Sequence, residues 1–147
     1  MHRTSPVWAT AATIAARVIF AGVFAMAMAF KFMDIHMTAG AIASIGLPFS
    51  LALACIAAFF ELGLVLAFLT GAFFTEAALA AAAYVLFLAF SFHGPAHWAG
   101  NQNEFGFFVD HFSFIAGLLF AAVHGPGALA VKLHLIPRRD WAAPAHA

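Results

Sequence analysis

Four long apolar stretches make up most of this chain, and each could cross a lipid bilayer as a helix. They run over residues 7–32, 49–69, 72–92 and 105–123. A helix needs about 20 residues to cross a hydrocarbon core of about 30 Å, because each residue adds about 1.5 Å. Short segments that contain proline, glycine or histidine separate the stretches. The pattern predicts an all-α membrane protein, a four-transmembrane-helix antiparallel bundle that forms a single domain with a polar tail over residues 125–147.

The composition argues against several other classes of protein. Only 8% of the 147 residues are Asp, Glu, Lys or Arg, whereas an average soluble domain has about 25%. Six basic residues balance six acidic ones, so no basic surface is available for the phosphates of nucleic acid. Cys55 is the only cysteine, which excludes a disulfide within the chain and a zinc site built from several thiolates. We therefore expect a lipid bilayer as the environment and no nucleic-acid partner.

Basic residues near the ends of the stretches predict the orientation, because Lys and Arg are enriched on the cytoplasmic side of membrane proteins. Four spans place both termini on one side. That side holds Arg3, Lys132, Arg138 and Arg139, whereas the two opposite loops hold only Lys31. We expect a multi-pass protein of the cell inner membrane with both termini in the cytoplasm.

Two ionisable residues lie deep inside the apolar stretches, Arg17 in the first and Glu61 in the second. A charge near the bilayer centre costs about 2.5–3.5 kcal/mol on insertion scales unless a partner compensates it. Counted from the ends of their stretches, they lie at depths of about 15 Å and about 12 Å, and Tyr84 of the third stretch lies at about 18 Å. We therefore predict a buried Arg17–Glu61 ion pair with Tyr84 nearby. The pair either fixes the helix register or forms part of a cavity that admits a proton, a quinone headgroup or another small polar ligand.

The fourth stretch carries a face of polar and small residues. Asn103, Asp110, Gly117 and His124 recur at seven-residue spacing, and we expect this face to point into protein. Asp110 and His111 lie about a turn and a half inside the outer boundary of the membrane. They either satisfy each other locally or relay protons, since imidazole titrates close to physiological pH.

The eight histidines outnumber the six lysines and arginines, and most fall on the predicted outer side. Imidazole with carboxylate suits zinc or iron, and imidazole with thioether suits copper. The candidate metal ligands are His36, His93, His97 and Glu104. Pro95 argues against a helical i, i+4 ligand pair at residues 93 and 97. A metal-handling or small-molecule transport protein is therefore an alternative function.

The order and spacing of several short motifs resemble those of the DoxX family of small four-helix membrane proteins. The motifs are Arg17, Gly22 and Lys31, the Ile45-Gly46-Leu47-Pro48 turn, Glu61-Leu62-Gly63 followed by Gly71 and Thr75, and Gly125-Pro126-Gly127. The resemblance spans about residues 12–131. It implies a four-helix integral membrane bundle in which Arg17, Lys31 and Glu61 are the polar residues of the family pattern. The chain departs from that pattern at Asp110-His111, where a lysine or asparagine is expected.

The resemblance also implies a setting, because family members are linked to a thiosulfate:quinone oxidoreductase, to membrane-associated oxidoreductase complexes and to oxidative-stress responses. We expect an integral membrane subunit or accessory protein of a redox complex, with quinone as the candidate ligand and a membrane or peripheral redox partner that carries the electron-transfer cofactor. A structural membrane anchor for a partner is the third alternative. The small face of the fourth helix also allows a homo-oligomer. The chain is then either itself an enzyme or a non-catalytic subunit.

Overall fold

The protein is a bundle of helices long enough to cross a membrane. The structure, a computed structural model, describes residues 6–131 and 133–136. Its helices are α1 (Val7–Met33), α2 (Ile35–Ser44), α3 (Ser50–Thr70), α4 (Phe74–His93) and α5 (Gln102–His124), with a short 3-10 turn at Pro95–His97. Among the described residues, α1, α3, α4 and α5 have the length and apolar composition of membrane spans. The predicted four-helix membrane architecture is thus confirmed.

A fifth helix, α2, lies where the sequence indicated only an outer loop. The Asp34 side chain caps it by accepting a hydrogen bond from the backbone N–H of Met37 at 2.9 Å. The helix packs mainly on α3 and buries Ala39. With ten residues it would extend only about 15 Å, too short for a span. Asp34 before an apolar run is an ordinary helix start, so the sequence did contain a signal for this element.

The spanning helices form two close pairs, α1 with α3 and α4 with α5. Alanines fill much of the buried face of α4, which allows neighbouring helices to approach closely. Phenylalanine rings fill the space between the two pairs, with centroids 5.4–5.9 Å apart in successive contacts. They are Phe20 and Phe24 of α1, Phe68 of α3, Phe74 of α4 and Phe114 of α5. Large aromatic side chains therefore join helices whose backbones stay apart.

The segment after α5 folds back over the turn between α3 and α4. Gly71 ends α3 in the left-handed conformation at φ 79°, a common glycine cap. Gly125 ends α5 at φ 76°, a positive value that also favours glycine. A Cβ atom on Gly71 would lie 2.5 Å from the Cβ of Ala130. The backbone N–H of Val131 donates to the carbonyl of Thr70 at 2.9 Å. We call this side of the bundle the tail end and the opposite side, which holds α2 and the 3-10 turn, the α2 end.

The membrane orientation was predicted mainly from four basic residues that lie outside the described residues. They are Arg3, Lys132, Arg138 and Arg139. Lys31 lies toward the α2 end. The exposed Trp8 lies near the start of α1, and Trp98 follows the 3-10 turn at the opposite end. Such positions at the two ends of the bundle suit interfacial tryptophans.

Candidate functional site

Glu61 lies at the meeting point of three helices and is only 1% exposed. Its Oε1 atom accepts a hydrogen bond from Lys31 Nζ of α1 at 2.8 Å. The same atom accepts one from the Tyr84 hydroxyl of α4, also at 2.8 Å. A carboxylate buried in a membrane bundle needs such partners, because an uncompensated charge there is strongly unfavourable. We call Lys31, Glu61 and Tyr84 the polar triad.

The second oxygen of the same carboxylate has no hydrogen-bond partner among the residues that the structure describes. Glu61 Oε2 is fully buried, and no residue in the described part of the chain donates a hydrogen bond to it. Buried polar atoms in native structures are nearly always paired with protein or with ordered water. The polar triad therefore keeps an unused hydrogen-bond acceptor within an apolar region.

A cavity of about 670 Å³ adjoins the polar triad, within the size range of ordinary ligand pockets. It lies between α2, α3, α4 and the last part of α1. Lys31, Tyr84 and Thr38 are the polar residues of its wall, which is otherwise apolar. Apolar wall residues include Met37 and Ile42 of α2, Ile56 and Phe60 of α3, and Phe87 and Leu88 of α4. Glu61 lies behind its two partners, so the cavity is apolar with one polar, hydrogen-bonding end.

The predicted ion pair between Arg17 and Glu61 is wrong. Arg17 is buried, and its Nε donates to the carbonyl of Phe68 at 2.9 Å. Its terminal nitrogens donate to the carbonyl of Leu69 and to those of Pro126 and Leu129, beyond the end of α5. The guanidinium thus ties α1 to the end of α3 and to the segment after α5, all at the tail end.

Two aromatic contacts explain why the predicted pair does not form. Phe24 stacks on Phe68 at 5.9 Å, and Phe32 meets Phe59 at 5.5 Å, which fixes the antiparallel register of α1 and α3. Glu61 follows the second contact by two residues, so it lies level with the later part of α1. Arg17 precedes the first contact by seven residues, or about 10 Å along the helix axis. The depth estimate failed because α1 extends well beyond the end of α3.

The polar face of α5 does not point into the protein as expected. Asn103, Asp110 and His124 are exposed. Gly117 is the member of this set that does meet the bundle, since a Cβ there would lie 3.5 Å from the ring of Phe20. The helix packs instead through a neighbouring face that buries Leu118 and Ala122.

Asp110 and His111 are not joined by a hydrogen bond in the described structure. His111 Nδ1 lies 2.6 Å from the carbonyl of Phe107, and because a carbonyl only accepts, the ring nitrogen is the donor. Its ring packs against that of His93, with centroids 5.0 Å apart. Successive side chains on a helix point about 100° apart, so the aspartate faces a different direction. The geometry gives no support to local pairing or to a direct relay between these two residues.

The four candidate metal ligands do not assemble. His93 Nδ1 lies 2.6 Å from Glu104 Oε2, a contact that ties the end of α4 to the start of α5. His97 lies in the 3-10 turn and His36 in α2, and neither makes a hydrogen bond to that pair. Within the described residues, no group of three His, Cys, Asp or Glu side chains could hold a metal ion.

Comparison with known proteins places the chain in a family. The family model described as DoxX matches residues 12–94, which is more than half of the chain. The matched segment includes Arg17 and the polar triad, and it ends before α5, so the Gly125-Pro126-Gly127 part of the resemblance lies outside it. No curated protein and no solved structure matches the chain. The chain, a small multi-pass membrane protein, therefore belongs to the DoxX family.

Proposed function

We propose that this protein is the membrane subunit of a quinone-linked redox complex and that its cavity binds the quinone. The observation that carries the proposal is the apolar cavity of about 670 Å³ with Lys31 and Tyr84 at one end. A quinone has an apolar body and ring oxygens that take part in hydrogen bonds. Ligand pockets typically combine an apolar lining with a few polar groups that orient the ligand, and this cavity has that character.

Glu61 supports the proposal by holding the lysine in place. The ammonium of Lys31 is bonded to Glu61 Oε1 and also lies 3.5 Å from the carbonyl of Ala27. An ammonium has three N–H donors, so one is left for a ligand in the cavity. A charge-assisted hydrogen bond is about twice as strong as a neutral one. The lysine is thus a strong donor beside an apolar binding space.

We further propose that the electron-transfer group belongs to a partner protein that contacts α5. Asp110 is exposed and lies six residues beyond Glu104, about 9 Å further along the helix. A carboxylate facing lipid at that depth is unfavourable. A membrane helix of the partner that carries a basic side chain would remove this penalty. The same surface would serve a homo-oligomer only if the second copy supplied such a group.

A cavity-filling substitution tests the binding proposal. Ala57 of α3 lies in the cavity wall, so Ala57→Phe should occupy the binding space and weaken binding of a decyl-substituted benzoquinone by about tenfold or more. The matched control is Ala116→Phe, at an exposed position on α5 that does not belong to the wall. Binding is measured by titration of purified protein in lipid nanodiscs, together with quinone extracted from membrane preparations. Equal binding by both variants, or no binding by the unaltered protein, would refute the proposal.

A further inference from the structure

We infer that the cavity discriminates between the two redox forms of its ligand and binds a hydroquinone, whose hydroxyl groups donate hydrogen bonds, more tightly than the matching quinone. This inference rests on the proposed function, since it concerns the ligand of the same cavity. The unpartnered Oε2 atom of Glu61 is the observation that carries it.

The hydrogen bonds already made in the polar triad determine what a ligand must supply. Tyr84 has one hydroxyl proton and donates it to Glu61 Oε1, so its oxygen keeps only the capacity to accept. Lys31 has one N–H left after its contacts with Glu61 and Ala27. Glu61 Oε2 is a further acceptor. The polar triad thus offers one donor and two acceptors.

A quinone suits this set poorly because its ring oxygens only accept hydrogen bonds. It could take the remaining proton of Lys31, but it would leave Glu61 Oε2 buried without a donor. A hydroquinone hydroxyl can accept from the lysine and donate to the carboxylate at the same time. Because this acceptor is unpaired before any ligand binds, a ligand that supplies the missing donor should bind about tenfold more tightly than one that does not.

The hydroxyl reaches this oxygen only if the carboxylate turns, because Glu61 lies behind Lys31 and Tyr84 and does not itself line the cavity. Both donors to Oε1 line the cavity, and the two carboxylate oxygens share one carbon atom. The last side-chain torsion of glutamate is broad, so we propose that ligand binding rotates the carboxylate until Oε2 faces the hydroxyl. The ion pair with Lys31 makes the group an ionised carboxylate, which accepts hydrogen bonds and donates none.

The direct experiment compares two ligands with the same decyl tail, a hydroquinone and the matching benzoquinone, under anaerobic conditions that keep each form intact. We expect the hydroquinone to bind about tenfold more tightly to the unaltered protein. The dimethyl ether of the hydroquinone has the same ring and tail but no O–H, so it should lose this advantage. If the ether binds as tightly as the hydroquinone, hydrogen-bond donation is irrelevant and the inference fails.

Glu61→Gln supplies an independent test. Lys31 and Tyr84 would hold the amide oxygen in the position of Oε1, so the NH₂ group would replace Oε2 and present a donor where the carboxylate presents an acceptor. The preference should then disappear or reverse toward the quinone. Glu104→Gln, the same change outside the cavity, should keep it. A Glu61→Gln variant that still favours the hydroquinone would overturn the inference, and the ether comparison decides the matter if this variant does not fold.

The outcomes also separate the inference from the proposed function. If neither redox form binds, the cavity is not a quinone site and the proposed function fails with the inference. If both forms bind equally, or the quinone binds more tightly, the proposed function stands and only the redox preference is rejected.

Discussion

Arg17 and Glu61 are both buried charges in a membrane bundle, and they are compensated in different ways. Arg17 uses backbone carbonyls, two of which belong to the last residues of α3. The last carbonyls of a helix lack partners within the helix and carry the negative end of its dipole. A planar guanidinium with five N–H donors can serve several such carbonyls at once, whereas an ammonium has three. Glu61 instead uses two side chains from neighbouring helices.

Arg17→Lys tests the role of the guanidinium. A lysine cannot reach all four carbonyls, so the free energy of unfolding should fall by about 2–3 kcal/mol. The measurement is unfolding in detergent followed by circular dichroism or by fluorescence-detected gel filtration. Ligand binding in the folded protein should be unchanged, because the cavity lies elsewhere in the bundle. A lysine variant as stable as the unaltered protein would show that the carbonyl contacts contribute little.

Lys31→Met tests the polar triad as a stabilising unit. Removing the ammonium leaves the buried Glu61 without its counter-ion, which should lower the free energy of unfolding by about 3–5 kcal/mol. Combining it with Glu61→Leu should recover much of the loss, because no buried charge then remains in the polar triad. The coupling energy comes from a double-mutant cycle of the two single variants and the double variant. Strictly additive effects would contradict a direct interaction.

The residue types of the site were readable from the sequence, but their pairing was not. Charged residues deep in apolar stretches stand out whatever the fold, so Arg17 and Glu61 could be selected in advance, and the resemblance to the DoxX family added Lys31. Which of the two cations meets the carboxylate depends on how far α1 slides past α3, and aromatic contacts between the helices fix that register. Hydropathy contains no information about such a shift.

Among the elements, α2 matters most for the site because it forms one side of the cavity. The four spans followed from length and apolar composition, which the bilayer imposes. A short helix that lies against other helices needs no such length, so the same criterion missed it. Its capping aspartate was the available signal. The cavity itself was expected only in general terms, because it arises from the gap that α2 closes against α3 and α4.

Asp34→Ala tests whether the cap holds α2 in place. Loss of an N-cap costs about 1 kcal/mol, so amide exchange across α2 should accelerate several-fold while exchange in α3 stays slow. Hydrogen–deuterium exchange with mass spectrometry measures both segments in one experiment. Asp34→Asn should behave like the unaltered protein, since asparagine caps helices as well as aspartate does. If exchange in α2 is unaffected by the alanine, packing alone secures this helix.

At the scale of the whole molecule, we propose that the tail end faces the cytoplasm and that the α2 end faces outward. Paired cysteine substitutions test this orientation in a Cys55→Ser background, which removes the exposed native thiol. Ala99 lies at the α2 end and Ala128 at the tail end, and both are exposed. A membrane-impermeant maleimide should label Ala99→Cys in intact spheroplasts and Ala128→Cys only after permeabilisation. The opposite labelling pattern would invert the topology and place the cavity near the cytoplasmic surface.

The contacts of Arg17 also bear on how the chain is assembled during synthesis. Two of its four carbonyl partners belong to residues 126 and 129, which leave the ribosome after every spanning helix has been made. Until those residues arrive, a nascent chain that has already inserted α1 and α3 holds a guanidinium with half of its partners missing. Completion of the bundle therefore requires the segment after α5, and a chain released before that point keeps only the two contacts of its guanidinium with α3.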